Sequence, residues 1–340
     1  MAGITKDEFL KIYEEQMVPV LKPLEDERLV VCQKTRPYKI IGIIALVVFI
    51  LGCIINCWLS LFAFIVGLPC FIYIYILWAE IRDKLKKDII SKLVSLCGNL
   101  YFSQGKEVIT SSEITDMGLF PSFTRKYDDD VIVGIHKGCN FALQETRLEH
   151  TEGSGKSSHT VTDFSGLIVK IQMNKNFSGK TIAGTKWEIE KLSGFEEVKL
   201  EDVEFMKDMK VYSTDQIEAR YILTTAFMER LYQLGESFSN NRAAAKSNMS
   251  KSQTAPQGHL VTANSRKQGF LEGLLGKENL VSAAFIDGYV YLFIPKNEDF
   301  FEIDTSSTLL DSRKYYDVYC QIQLILSIVS YLKLDMKLGL

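Results

Sequence analysis

The chain has 340 residues, 47% of them hydrophobic, and Lys+Arg 39 stand against Asp+Glu 42 for a net charge of −3. That balance gives no general push toward nucleic acid, and the charges read as a solvated surface. Seven cysteines are present, but no pair has C-x-x-C spacing. Neither zinc nor dithiol redox chemistry is suggested, and free thiols are expected.

Thr5-Lys6-Asp7-Glu8 opens the first helix, with Thr5 as cap and Glu8 returning the hydrogen bond. Phe9, Ile12, Tyr13 and Met17 form its apolar stripe, expected to pack on the later domain, with a membrane-surface or partner-binding helix as the alternative. Pro19 and Pro23 are expected to break or kink it. This N-terminal helical segment, 1–38, is placed in the cytoplasm.

Ile40–Ala79 contains no Asp, Glu, Lys or Arg. A helix of that length reaches ~60 Å, twice a hydrocarbon core of ~30 Å. The region 39–80 therefore reads as a transmembrane hairpin, with spans at about 40–57 and 61–79. Its turn is expected at Asn56-Cys57-Trp58-Leu59-Ser60. Arg28, Lys34, Arg36 and Lys39 precede the spans, and Arg82, Lys84, Lys86, Lys87 and Lys92 follow them. Excess cations at both flanks place both ends in the cytoplasm. The apolar run starts too late and is too long for a cleavable signal peptide.

Ile81, Leu85, Ile89, Leu93 and Leu96 then recur at helical steps, giving a juxtamembrane amphipathic helix over 81–100. Its basic residues Arg82, Lys84, Lys86, Lys87 and Lys92 are assigned to the membrane surface.

The region 101–340 reads as a cytoplasmic α+β domain. Ser111–Phe123 gives a short helix ending at Met117-Gly118. Strands follow at Val131–His136 and Asn140–Thr146, joined at Lys137-Gly138, then at Ser165–Met173, Lys180–Ala183, Lys186–Glu190, Gly194–Leu200 and Met209–Tyr212. A helix capped by Ser213 runs to Gly235, with Ile217, Tyr221, Thr224, Met228 and Leu231 on one face. The Ser-, Asn- and Gln-rich stretch 237–277 reads as a disordered insert. Leu280–Ile286 and Tyr289–Ile294 flank Asp287-Gly288, a strong hairpin signal. A helix from about Ser312 closes the chain. The fold class is α+β: a two-helix hairpin followed by an antiparallel-sheet-and-helix domain.

Gly155-Lys156-Ser157 lacks the earlier glycine of a phosphate loop and lies between strands, so a hairpin loop is expected. Asp128-Asp129-Asp130 cannot turn all three carboxylates to one ion, and no metal site is assigned. His136, His150, His159 and His259 show no ligand spacing. Glu145 and Arg147 are read as a charge pair. The best candidate for a ligand or partner surface is the helix start holding Tyr212, Ser213, Asp215, Glu218 and Arg220. Against it stands a structural role: capping, an ion pair of Arg220 with Glu218 or Asp215, and Tyr221 in the core.

The runs "DDDVIVGIHKGCNFALQETRLE", "FSGLIVKIQMNKNFSGKTI", "VYSTDQIEARYILTTAFMERL" and "VSAAFIDGYVYLFIPKNEDFFE" resemble the bacterial membrane-protein family catalogued as domain of unknown function 3137. "FLKIYEEQMVPVLKPLEDER" before the paired spans matches as well. The resemblance implies a bacterial inner (cytoplasmic) membrane protein, multi-pass, without implying an activity. The insert at 237–277 departs from the family pattern.

The expected function is a non-enzymatic, membrane-anchored module that binds a protein or small ligand at the cytoplasmic face. The alternatives are an enzyme of unrecognised type or an accessory subunit of a membrane transport assembly. Partners are the lipid bilayer and a membrane protein, not nucleic acid, and no cofactor is expected.

Overall fold

A computed structural model describes residues 5–55, 57–120, 123–184, 194–234, 281–295 and 300–335. The chain divides into two compact units, residues 1–97 with 301–324, and residues 98–300 with 325–340.

In the first unit, helix α1 (Lys6–Ile12) begins with the expected capping box. The Glu8 N–H donates to Thr5 Oγ1 at 3.3 Å, and the Thr5 N–H donates to Glu8 Oε2 at 2.8 Å. The helix does not end at the prolines. A π-helical turn at Tyr13–Met17 leads into α2 (Val18–Ile55), where the Val18 N–H reaches the Tyr13 carbonyl five residues back. The wider turn shifts the hydrogen-bond ladder just ahead of Pro19, which has no N–H to give it.

Phe9, Tyr13, Met17, Leu21 and Leu24 are buried along one face. The C-terminal helix, Arg313–Tyr331, covers Phe9 and Tyr13 from its first half. The Phe9 ring lies 5.3 Å from Tyr316 and 5.2 Å from Tyr319, and Tyr13 stacks on Tyr315 at 5.9 Å. The stripe of α1 therefore packs as expected.

Helix α3 (Cys57–Ser95) includes Trp58 and Ser60, so the expected five-residue turn is shorter; Asn56 lies outside the described residues. Small residues hold α2 and α3 together. A Cβ on Gly67 would sit 3.0 Å from the Ala45 Cβ, and one on Gly42 would sit 3.2 Å from the Phe71 ring. Large apolar side chains face outward instead: Ile54 is 81% exposed, Trp58 79% and Tyr75 71%. Both helices are long and apolar enough to cross a bilayer.

Helix α3 ends at Ser95 rather than running to Leu100. Ile81, Leu85, Ile89 and Leu93 are buried as its periodicity requires. Two cations counted as flanking charges are interior. Arg28 is bound to Glu25 at 2.7 Å, and Lys86 is paired with Glu302 at 2.8 Å. Glu25 also accepts from the Leu309 N–H at 2.9 Å, which ties α2 to residues 301–312.

The second unit is built on a nine-stranded antiparallel sheet in the order β1-β2-β3-β4-β9-β8-β5-β7-β6. The strands are β1 (Leu100–Gln104), β2 (Arg125–His136), β3 (Cys139–Glu152), β4 (His159–Gln172), β5 (Thr181–Gly184), β6 (Glu196–Glu197), β7 (Lys210–Ser213), β8 (Ser282–Ile286) and β9 (Tyr289–Pro295). The Asp287-Gly288 hairpin forms as expected, with φ of 50° and 77°. Lys137-Gly138 does the same at 52° and 79°. β1 was not anticipated, and β6 is two residues of the seven expected. Lys186–Glu190 and the insert 237–277 lie outside the described residues.

Helix α4 (Ser111–Met117), capped by Thr110 and closed by Gly118, covers one sheet face. Ile114 and Met117 there join Ile168, Ala284, Tyr291 and Phe293 in a core cluster. The alternating residue Phe285 points to the other face, where it meets Phe227 at 5.7 Å. Two short helices, α5 (Val203–Asp208) and α6 (Gln216–Ile222), flank β7.

Candidate functional site

The expected helix from Ser213 to Gly235 is two helices. Asp215, not Ser213, is the cap of α6: its Oδ1 accepts from the Ile217 N–H at 2.8 Å and the Glu218 N–H at 3.0 Å. The helix ends at Leu223, and α7 occupies residues 225–234. Thr224 restarts it by accepting from the Phe227 N–H at its own Oγ1, 3.3 Å away. The break rotates the first helix out of the expected stripe. Ile217 is therefore 81% exposed and Tyr221 39% exposed rather than buried.

The five residues singled out by sequence separate into different roles. Tyr212 is buried in the core cluster. Ser213 is 1% exposed, and its hydroxyl meets Thr181 Oγ1 at 2.9 Å and the Asp215 N–H at 3.0 Å. Arg220 forms no pair with Glu218 or Asp215. It donates to the Gln216 carbonyl at 3.0 Å and the Lys199 carbonyl at 3.5 Å. Glu218 reaches across to the loop after β4, where its carboxylate accepts the N–H of Ser178 at 3.1 Å and of Gly179 at 2.6 Å. Gly179 permits this approach, because a Cβ there would lie 2.8 Å from Glu218 Oε2.

Of the five, Glu218 alone lines a cleft of about 500 Å³, with Gln172, Lys175, Asn176, Asp287 and Tyr289 among the other walls. The β8–β9 turn shapes its floor, since the Met173 N–H donates to the Gly288 carbonyl at 2.8 Å. Lys175 was not singled out by sequence. It donates to the Tyr221 carbonyl at 2.9 Å and lies 4.6 Å from the centre of that ring. Burial pushes its pKa down. A cleft with carboxylate, amide, ammonium and phenol groups can orient a polar ligand.

Two further clusters arise from strand register. His150 Nδ1 lies 2.7 Å from Asp163, and Glu152 lies 3.4 Å from both His150 and His159. A hydrogen bond to Asp163 raises the His150 pKa. A register shift between Asp128 and Val131 brings Asp129 and Asp130 within 4.8 Å of Glu145. Glu145 also accepts from the Phe300 N–H at 3.2 Å, while Arg147 pairs with Glu149, not Glu145, at 3.0 Å. Gly155–Ser157 is a single turn between β3 and β4, as expected.

Among curated proteins none matches the chain. A crystal structure of the mycobacterial trehalose monomycolate transport factor A, TtfA, is similar at 8% identity and a TM-score of 0.28, covering 68% of this chain and 88% of that one. The family model described as "Protein of unknown function (DUF3137)" matches residues 162–250 and 271–334. The match is narrower than the resemblance read from sequence: it omits the N-terminal helices and the Asp128–Arg147 run. Its gap at 251–270 falls inside the segment read as an insert. Over residues 162–250 and 271–334 the chain is similar to the DUF3137 family.

Proposed function

We propose that the chain is a non-enzymatic module, anchored in a bacterial inner membrane by α2 and α3, that binds a protein or small ligand on the cytoplasmic side. The carrying observation is the outward face of the hairpin. Ile40–Ala79 has no charged residue, and Ile54, Trp58, Phe62, Ile65 and Tyr75 are all exposed there. In water such a patch would far exceed the few hundred Å² that soluble monomers tolerate. Lys34, Arg36 and Lys39 on one side, and Arg82, Lys84 and Lys87 on the other, support a cytoplasmic position for both ends.

The binding assignment is supported by how the polar groups are used. Ser213, Asp215 and Glu218 spend their hydrogen bonds on backbone and neighbouring hydroxyls, which fixes the start of α6 beside the cleft that Glu218 lines. Three thiols outside the hairpin are poor nucleophiles: burial pushes Cys97 up to about 12 and raises Cys139 and Cys320. The test is alkaline carbonate extraction of bacterial membranes. The full chain is expected to stay in the pellet and a version lacking 40–79 to leave it. Recovery of the full chain in the soluble fraction would overturn the anchor.

A further inference from the structure

A second, smaller cleft lies beside the first, with Met173 and Lys175 as shared wall. Its volume is about 210 Å³. Three cations line it, each from a different segment: Lys175 after β4, Arg230 on α7, and Lys333 after the C-terminal helix. Among the described residues none of the three is in an ion pair. Surface cations normally sit among carboxylates, so three gathered without one is a charge arrangement waiting for an anion.

The local structure holds them there. The C-terminal helix closes with a Schellman cap: the Lys333 N–H donates to the Ser330 carbonyl at 3.1 Å and the Leu334 N–H to the Val329 carbonyl at 2.8 Å. Lys333 is the left-handed residue of that cap, with φ of 57°, where glycine is the usual choice. The cap occupies carbonyls of the last turn, which would otherwise repel an anion. The first turn of α7 enters the wall from the other side through Thr224 and Ala226, and the positive end of a helix favours negative charge. Lys175 has spent one N–H on the Tyr221 carbonyl, and an ammonium has three. Apart from Asn174 and Thr224 the remaining wall is apolar, chiefly Met173, Phe227 and Leu334.

The geometry points to an anion site that takes a phosphate group carrying a short apolar substituent. A phosphate offers up to two charges and three acceptor oxygens, which matches three separate cations better than a carboxylate does. The substituent meets Met173, Phe227 and Leu334. A lipid headgroup and a soluble phosphate share this chemistry. The site uses no residue of the α2–α3 hairpin, so it stands or falls apart from the membrane anchor.

The experiment is calorimetric titration of the full chain in phosphatidylcholine nanodiscs, with empty discs subtracted. The probes are inorganic phosphate and dihexanoyl phosphatidic acid. Saturable binding that weakens as salt rises is expected. Lys175→Met and Arg230→Gln should each weaken it about tenfold. Lys333→Gly should weaken binding while raising the melting temperature, because glycine suits φ of 57°; a more stable variant that binds less cannot have lost the site by unfolding. Tighter binding of the lipid is expected and assigns the source to a headgroup; binding of inorganic phosphate as tight or tighter would overturn the apolar substituent and assign the site to free phosphate. No saturable heat with either probe at low salt, or affinities unchanged in all three variants, would overturn the proposal.

Discussion

The Glu218 carboxylate holds the Gly179 backbone N–H at 2.6 Å, bridging α6 and the loop that follows β4. This contact closes one side of the larger cleft. Gly179→Ala would push a methyl group to 2.8 Å from Glu218 Oε2, and the Asp215 Cβ at 3.1 Å leaves little room to shift. We expect a loss of about 1–3 kcal/mol in chemical denaturation. Glu218→Ala should cost about 1–3 kcal/mol by leaving the Ser178 and Gly179 N–H groups without their acceptor. The double variant should cost less than the sum, because both changes break one contact. Strict additivity would show that the bridge does not couple the two segments.

The hairpin gives a second prediction. Gly67 faces Ala45 with no space for a branched side chain. Gly67→Ile should lower the melting temperature of the detergent-purified protein, whereas Ala45→Gly should leave it within a few degrees. The expected cost of the isoleucine is about 1–3 kcal/mol. Equal melting temperatures for Gly67→Ile and the parent would mean that α2 and α3 do not pack at this point.

Glu25 and Arg28 are both nearly buried, and Leu309 depends on the same carboxylate. Removing the cation strands a charge in the interior. Arg28→Met should destabilise the protein by about 3–5 kcal/mol, and Glu25→Gln with Arg28→Met should recover part of that loss. Thermal denaturation of the three variants decides it. A double variant worse than Arg28→Met would sink the explanation.

The His150 cluster gives a pH dependence with a definite sign. Its pKa is raised in the folded chain, first by the hydrogen bond to Asp163. A raised folded pKa means stability that is fully present below the unfolded value and is lost as pH rises through the folded one. The stability of the parent minus that of His150→Gln should therefore shrink across the neutral range toward alkaline pH. A difference that is flat from pH 5 to pH 9 would show that the imidazole is not held in its charged form.

Local rules were readable in the sequence where one residue type has one physical solution. Asp287-Gly288 requires two positive φ angles, and Thr5 with Glu8 can satisfy two orphan donors only as a helix start. The apolar steps from Ile81 to Leu93 were equally plain. The misses have different causes. The strand Leu100–Gln104 is five residues long and follows soon after a helix, too short for its alternation to stand out. The break at Leu223 rests on the Thr224 hydroxyl, which looks like any other helical threonine until its acceptor role is seen. His150 meets Asp163, and Asp129 and Asp130 meet Glu145, through strand register and a bulge that spacing along the chain does not encode. The three cations of the smaller cleft are as far apart in sequence as Lys175 and Lys333. No motif search joins them.

The packing of Phe9 against Tyr316 and Tyr319 carries a consequence for how the chain is made. Helix α1 is covered by rings of a helix that is translated long after it. Until Arg313–Tyr331 emerges, Phe9 and Tyr13 lack these rings, and long-range closure of this kind is slow. A ribosome stalled before Arg313 should hold a nascent chain whose N-terminal helix is open to protease. Release of the finished chain should protect it.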